Sequence, residues 1–210
     1  MITTNPELRP FASLGARPSS CRSKRYIVAA FVLVLLVTGG IELLMGRSPL
    51  GPDGRFGFWE GNIWSSECSQ RLADPYSFSH IGHGILFYGI LWLMARKLPV
   101  RYRFLMALLL EASWELLENS PLIINRYRQT TIAQGYVGDS VMNSLSDIGM
   151  MSLGFLFAWR VRPWVVVTTL VAMEIGCALC IRDNLTLNVI MLIHPIAAIK
   201  AWQMAGQPGM

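Results

Sequence analysis

Residues 104–118 read FLMALLLEASWELLE, and the three glutamates in this apolar run decide the fold. Glu111, Glu115 and Glu118 are spaced four and three apart, so on a helix of 3.6 residues per turn they share one face. The block around them, residues 104–124, is long enough to cross a bilayer. A charged residue at mid-bilayer costs about 2.5–3.5 kcal/mol on the insertion scale, whereas a Leu or Phe returns only about 0.3–0.6 kcal/mol. Three ionised glutamates would therefore cancel most of the helix's apolar gain. Their face must point into a bundle or a wet cavity, with some of them protonated. With Glu118 near a membrane surface, Glu111 lies about 10 Å deeper, which makes a ladder from interface to core.

The rest of the chain agrees with a membrane setting. It has 210 residues, 53% of them hydrophobic, and a mean hydropathy of +0.42. Charged residues make up 15%, against about 25% in soluble domains. That excludes a disordered chain and argues against an ordinary soluble enzyme. Further apolar blocks fill residues 26–45, 77–95, 140–159 and 164–181. A last one, 185–202, holds His194-Pro195 and reads either as a sixth span or as a short span followed by an interfacial helix. The expected architecture is an all-α polytopic transmembrane bundle of five spans, with the sixth open. Residues 1–25 form a basic tail, 26–204 a single helical domain and 205–210 a C-terminal tail. No small-residue cleavage site follows the first block, which reads as an uncleaved anchor.

The net charge of +5 belongs to the flanks of the apolar blocks rather than to a nucleic-acid surface. Arg9, Arg17, Arg22, Lys24 and Arg25 precede the first block. Arg96, Lys97, Arg101 and Arg103 follow the second, and Arg160 and Arg162 follow the fourth. The segments 46–76 and 125–138 are poorer in basic residues. This alternation predicts a cytoplasmic N-terminus in a bacterial inner membrane, with 46–76 and 125–138 outside. Trp59, Trp64 and Tyr76 then fit an aromatic interface belt on that outer side. Cys21, Cys68, Cys177 and Cys180 make no disulfide framework, and the CxxC at 177–180 lies inside an apolar run where packing is expected.

Two more blocks carry residues that do not belong in lipid. Asp139, Asn143 and Asp147 repeat every four positions on one face, beside Ser140, Ser144 and Ser146. Asp139 follows Gly138 and could cap that helix. The second block opens with Ser77-x-Ser79-His80-x-x-His83-Gly84, and Gly82 and Gly84 would admit a close helix neighbour. Under the topology above, His80, His83, Glu118 and Asp139 converge near the outer face. The Arg126-Tyr127-Arg128 segment, and the end of the fifth span at Arg182-Asp183-Asn184, could join them.

This set suits three chemistries. His80 and His83 with carboxylates could bind a divalent metal such as zinc or manganese. Arg126 and Arg128 could hold an anionic headgroup through bidentate hydrogen bonds. Glu111, Glu115 and Asp147 could carry protons. Each has a plainer counterpart. The HxxH pair could be hydrogen-bonded at an interface, and the arginines could only neutralise Glu118 and Asp139. Glu42 and Glu174 stand alone, which suggests one interhelical hydrogen bond each. His194 reads as a break-point residue. Asn184-Leu185-Thr186 is a glycosylation pattern that matters only in a eukaryotic secretory route.

The string of motifs resembles a known family. It comprises Ser79-His80-x-x-His83-Gly84, Glu111-Ala112-x-Trp114-Glu115-x-x-Glu118-Asn119-Ser120-Pro121 and Ile124-Asn125-Arg126-Tyr127-Arg128. It continues with Gly138-Asp139-Ser140-x-x-Asn143-Ser144-x-x-Asp147, Ile181-Arg182-Asp183-Asn184-Leu185-Thr186-Leu187-Asn188 and His194-Pro195. Together these are similar to small bacterial inner-membrane proteins of unknown function (domain of unknown function 2585, uncharacterised protein family 0314), over roughly residues 46–204. Cys68 stands where that family pattern suggests an Asn. The resemblance implies a location and a multi-span architecture, and brings no reaction. A looser likeness to VanZ-like envelope proteins matches His80 or His83, Glu115-x-x-Glu118, Arg126 or Arg128, and Asp139-x-x-x-Asn143, with Glu118 replacing a Gln.

The leading expectation is an outward-facing site that binds an anionic envelope lipid or amphiphile, with processing of it left open. Arg126, Arg128, Asn143, Asp147 and Glu111 would bind ligand, Glu115, Glu118 and Asp139 would act on it, and His80 and His83 would take any metal. The rivals are a proton-coupled transporter, which would need an oligomer because no repeat is visible, and a structural or assembly protein using Phe56, Phe58, Trp59 and Trp64 as a docking loop. Membrane lipids are the expected partners; nucleic acid is not. The substrate, the metal, any protein partner and the oligomeric state are not set by the sequence.

Overall fold

A computed structural model describes residues 20–207. The tail residues 1–19 and 208–210, with Arg9 and Arg17, lie outside the described residues. Eight helices follow in order: α1 (Ser20–Leu44), α2 (Ser77–Ala95), α3 (Val100–Glu118), α4 (Pro121–Thr130), α5 (Val141–Arg160), α6 (Pro163–Ile181), α7 (Leu185–Ile193) and α8 (Ala197–Met204). The described residues contain no strand, only one isolated bridge between Trp59 and Ala73. The fold is all-α.

Four helices, α1, α2, α5 and α6, are long and apolar enough to cross a membrane. At about 1.5 Å per residue each reaches close to 30 Å. α3 has the same 19 residues as α2 and α6, but its charges hold it below that apolar standard. Burial separates these helices further. Only 11% of the α6 span and 17% of the α1 span is buried, although both are apolar all round. In water such faces would be an aggregation hazard, whereas in hydrocarbon they cost nothing. α5 is the central element, packed against α1, α2, α3 and α6. Its core partners are Leu108, Ala107 and Leu91, which close around Ile148, Met151 and Phe155.

The α2–α5 contact is backbone against backbone. A Cβ on Gly84 would overlap the Met151 carbonyl oxygen, and one on Gly154 would overlap that of Ile81. Only glycine permits this approach, and it fixes the distance between the two polar faces.

Helix ends follow local chemistry. Pro121 and Pro163 open α4 and α6 in their first turns, where a missing N–H is harmless. Ser140, not Asp139, caps α5 by accepting from the Asn143 N–H at 3.2 Å. Asn184 caps α7 by accepting from the Leu187 N–H at 2.8 Å. The block read as 104–124 is two helices: α3 stops at Glu118 and α4 begins after Ser120. Arg126 and Arg128 are therefore helical residues, not loop residues. The last block resolves into two short helices broken at His194-Pro195. Each is at most 9 residues, too short to span. Their far ends meet, because Gln203 on α8 donates to Asp183, just before α7, at 2.9 Å. α7 and α8 are thus a hairpin.

The 46–76 segment is stitched onto the start of α5. Ser140 and Val141 N–H groups donate to the Ser69 and Ser48 carbonyls at 3.0 and 2.9 Å. Gln70 donates to the Gly138 carbonyl at 2.7 Å and Asn143 to the Arg71 carbonyl at 2.9 Å. Arg47 also donates to the Val137 carbonyl. Asp74 turns the chain into α2 by accepting from the Ser69 and Tyr76 N–H groups.

Candidate functional site

The polar faces of α2, α3 and α5 meet in one buried cluster. His80 Nδ1 lies 2.7 Å from Glu111 Oε1, and His83 Nδ1 lies 3.1 Å from the same oxygen. One carboxylate thus grips two imidazoles, whose ring centroids are 5.1 Å apart. His80 Nδ1 is also 3.4 Å from Glu115 Oε1, and its Nε2 is 3.7 Å from Asp147 Oδ2. Neither is a hydrogen bond. Glu111 and Glu115 are both 0% exposed. Neither oxygen of Glu115 has a hydrogen-bond partner, nor does Oε2 of Glu118. A buried carboxylate with no hydrogen bond is costly, so Glu115 calls for a proton or a cation, which a protonated His80 at 3.4 Å supplies in part.

Three or more ligand-type side chains converge twice here. His80, His83 and Glu111 form one group and His80, Glu115 and Glu118 the other, with ligand atoms within 4.8 Å of one another in each. His83 is positioned by packing, stacked on Phe87 and edge-on to Trp114.

Beside this cluster opens a cavity of about 380 Å³. Its polar wall includes Asp139, Asn143, Asp147 and Asp183, and its apolar wall includes Phe87, Leu110, Trp114, Leu185, Val189 and Leu192. Leu110 and Val189 are about half exposed, at 51% and 45%, so the apolar rim reaches the lipid-facing surface.

Asp139 is held by Asn119, which donates to it at 3.1 Å and accepts its N–H at 2.7 Å. The Tyr136 hydroxyl donates to Asp139 at 2.9 Å. Burial pushes the Asp139 carboxyl up to about 6 against these bonds. Asp183, unmarked by helix periodicity, is 1% exposed and accepts from Tyr76, Asn188 and Gln203. Burial pushes it up to about 7. Burial likewise raises the Cys68 thiol, which keeps it from acting as a thiolate.

The expected residues divide clearly. His80, His83, Glu111, Glu115, Glu118, Asp139, Asn143 and Asp147 come together. Arg126 and Arg128 do not. Arg126 donates to the Leu192 and Ile193 carbonyls at 2.9 and 3.3 Å, and Arg128 donates to the Tyr136 carbonyl at 2.5 Å. Neither lines the cavity, and neither forms an ion pair among the described residues. Both hydrogen-bond backbone carbonyls, and neither pairs with Glu118 or Asp139. Glu174 does more than one interhelical bond, because its two oxygens accept the Leu185 and Thr186 N–H groups at 3.1 and 3.0 Å. Glu42 is 0% exposed and neither of its oxygens has a hydrogen-bond partner. Asp74 and Tyr76 join the site without a helical spacing to announce them, Asp74-Pro75 being a turn-initiating pair before a helix start; Asn119 does continue the four-residue step of Glu111 and Glu115.

Residues 42–205, which hold every one of these groups, match the family described as protein of unknown function (DUF2585). The chain belongs to that family. A UPF0314 protein of Sphingopyxis alaskensis is 48% identical over 182 residues, covering 86% of this chain and 95% of that one. One from Rhizobium etli strain CIAT 652 is 49% identical over 182 residues, covering 87% and 93%. One from Agrobacterium fabrum is 49% identical over 188 residues, covering 89% and 94%. No solved structure matches this member of the family.

Proposed function

We propose that this member of the family holds a divalent metal ion among His80, His83 and Glu111, and uses it to bind the anionic headgroup of a membrane amphiphile. The observation that carries this reading is the convergence of His80, His83 and Glu111, whose ligand atoms lie within 4.8 Å of one another. Glu115 and Glu118 group with the shared His80, and neither oxygen of buried Glu115 has a hydrogen bond, so a cation there also offsets their charge. A borderline ion such as Zn²⁺ suits a ligand set of two imidazoles and one or two carboxylates. The ion, rather than Arg126 and Arg128, then meets the headgroup, and the apolar rim at Leu110, Val189 and Leu192 receives the chain. Glu118 stands where it would accept a proton from a water at the ion. With α3 counted as a fifth span, the acidic site faces the outer side of a bacterial inner membrane and the basic end faces the cytoplasm.

The layer under the site favours binding over transport. Leu108, Ile148, Met151 and Phe155 are all 0% exposed and lie between the ladder's deepest glutamate and the other end of the bundle. This apolar cluster packs directly below Glu111.

The test is metal content. The wild-type chain and a His80→Ala/His83→Ala pair are purified in lipid discs and their metals counted by mass spectrometry. About one equivalent in the wild type, lost from the pair, is the expected result. A metal-free wild type that also gains no thermal stability from added Zn²⁺ or Mn²⁺ overturns the reading.

A further inference from the structure

We propose that Arg103 anchors a second site, for a phosphate oxyanion, at the end of the bundle opposite the acidic cavity. Arg103 sits in the first turn of α3 and is 8% exposed. Its Nε and Nη1 are buried and have no hydrogen-bond partner. The guanidinium lies over the Tyr88 ring, 5.6 Å from its centroid. That contact balances part of the charge but satisfies no N–H.

No carboxylate among the described residues is in place to pair with it. Residues 26–37, 86–108 and 150–173 lie toward this end of the bundle, and they contain no Asp or Glu. The same end carries Arg96, Lys97, Arg101, Arg160 and Arg162. Unpaired charges are seldom left inside proteins, so a buried guanidinium with two free donors points to an anion from outside the chain. A guanidinium recognises phosphate oxygens through Nη2 together with Nε or with Nη1, and either of those two partners is without a hydrogen bond here. α3 also begins without a side-chain cap, so its positive end adds to the attraction. Two sources share this chemistry: the headgroup phosphate of an anionic phospholipid, and free phosphate. The site is separate from the metal reading and does not depend on it.

The experiment uses the full chain and the variants Arg103→Gln, Arg103→Lys and Arg162→Gln, in discs of equal phosphatidylcholine and phosphatidylglycerol. After detergent exchange, retained lipid is counted by native mass spectrometry. Wild type and Arg162→Gln are expected to keep about one phosphatidylglycerol, with retention at least about tenfold lower in Arg103→Gln. Arg103→Lys keeps the charge without the fork, so it folds and retains an intermediate amount. If no lipid is retained but millimolar phosphate raises the wild-type melting midpoint and not that of Arg103→Gln, the source is free phosphate. Equal retention in Arg103→Gln, equal loss in Arg162→Gln, or no effect of either ligand overturns the proposal.

Discussion

Glu174 and Leu185 are joined across a helix break: the carboxylate, on α6, accepts the first N–H of α7 at 3.1 Å. The chain reverses through Arg182, whose left-handed φ of 54° ends α6, and Glu174 reaches the exposed amides beyond it. Losing this cap should matter. Glu174→Ala is expected to cost about 1 kcal/mol, the usual worth of a cap, and Glu174→Gln about half as much. Hydrogen exchange at Leu185 and Thr186 reads the effect, since faster exchange should be confined to α7. Unchanged protection would show that Asn184 caps the helix alone.

The glycine crossing of α2 and α5 predicts a sharp contrast. Gly84→Ala and Gly154→Ala should each destabilise by about 3 kcal/mol or more, because the new methyl meets backbone that cannot give way. Gly89→Ala, on the same helix as Gly84 with nothing within 4 Å of its Cβ, should be neutral to slightly stabilising. Thermal unfolding in detergent ranks the three. A Gly84→Ala protein as stable as Gly89→Ala would mean that the helices do not touch there.

If an ion bridges the histidines, chelation has a signature. At an ion concentration of about 100 times Kd, its removal should cost about 2.7 kcal/mol of apparent stability. The melting midpoint of wild type should fall on chelation and recover with added Zn²⁺. Glu111→Gln, which keeps the shape but loses the charge that faces both imidazoles, should show neither change. A chelator-sensitive Glu111→Gln protein would move the ion elsewhere.

Asp183 makes stability depend on pH. Its carboxyl is raised by burial to about 7, with the Asn184 N–H, Tyr76 and Gln203 against it and the charge of Glu174 adding to the rise. The unfolded value is about 3.9, so the folded chain binds the extra proton between the two. Its stabilising contribution is complete below about pH 4 and is lost as pH rises through about 7. Asp183→Asn, which keeps an acceptor for Gln203, should flatten that part of the profile. Equal slopes for wild type and variant between about pH 4 and 7 would count against it.

Much of this site is legible in the sequence because lipid punishes charge. His80, His83, Glu111, Glu115, Asn143 and Asp147 can be placed on shared faces from their spacing alone, since no other orientation is tolerated in a bilayer. Arg126 and Arg128 are not legible in this way. They follow Ser120-Pro121, a helix start, and the carbonyls that Arg126 caps, at Leu192 and Ile193, lie 66 and 67 residues further on, just before the break at His194-Pro195. Asp183 pairs with Tyr76 over 107 residues, and no local pattern carries that relation. Tyr76 itself reads as an interface aromatic until its hydroxyl partner is seen.

Leu108, Ile148, Met151 and Phe155 pack without exposure beneath the cavity. A guest held above that layer would enter and leave from the same end of the bundle, so occupant and newcomer would compete for one threshold. An impermeant reagent should reach His83 from one side of a sealed vesicle, and a tight occupant should shield it from that side.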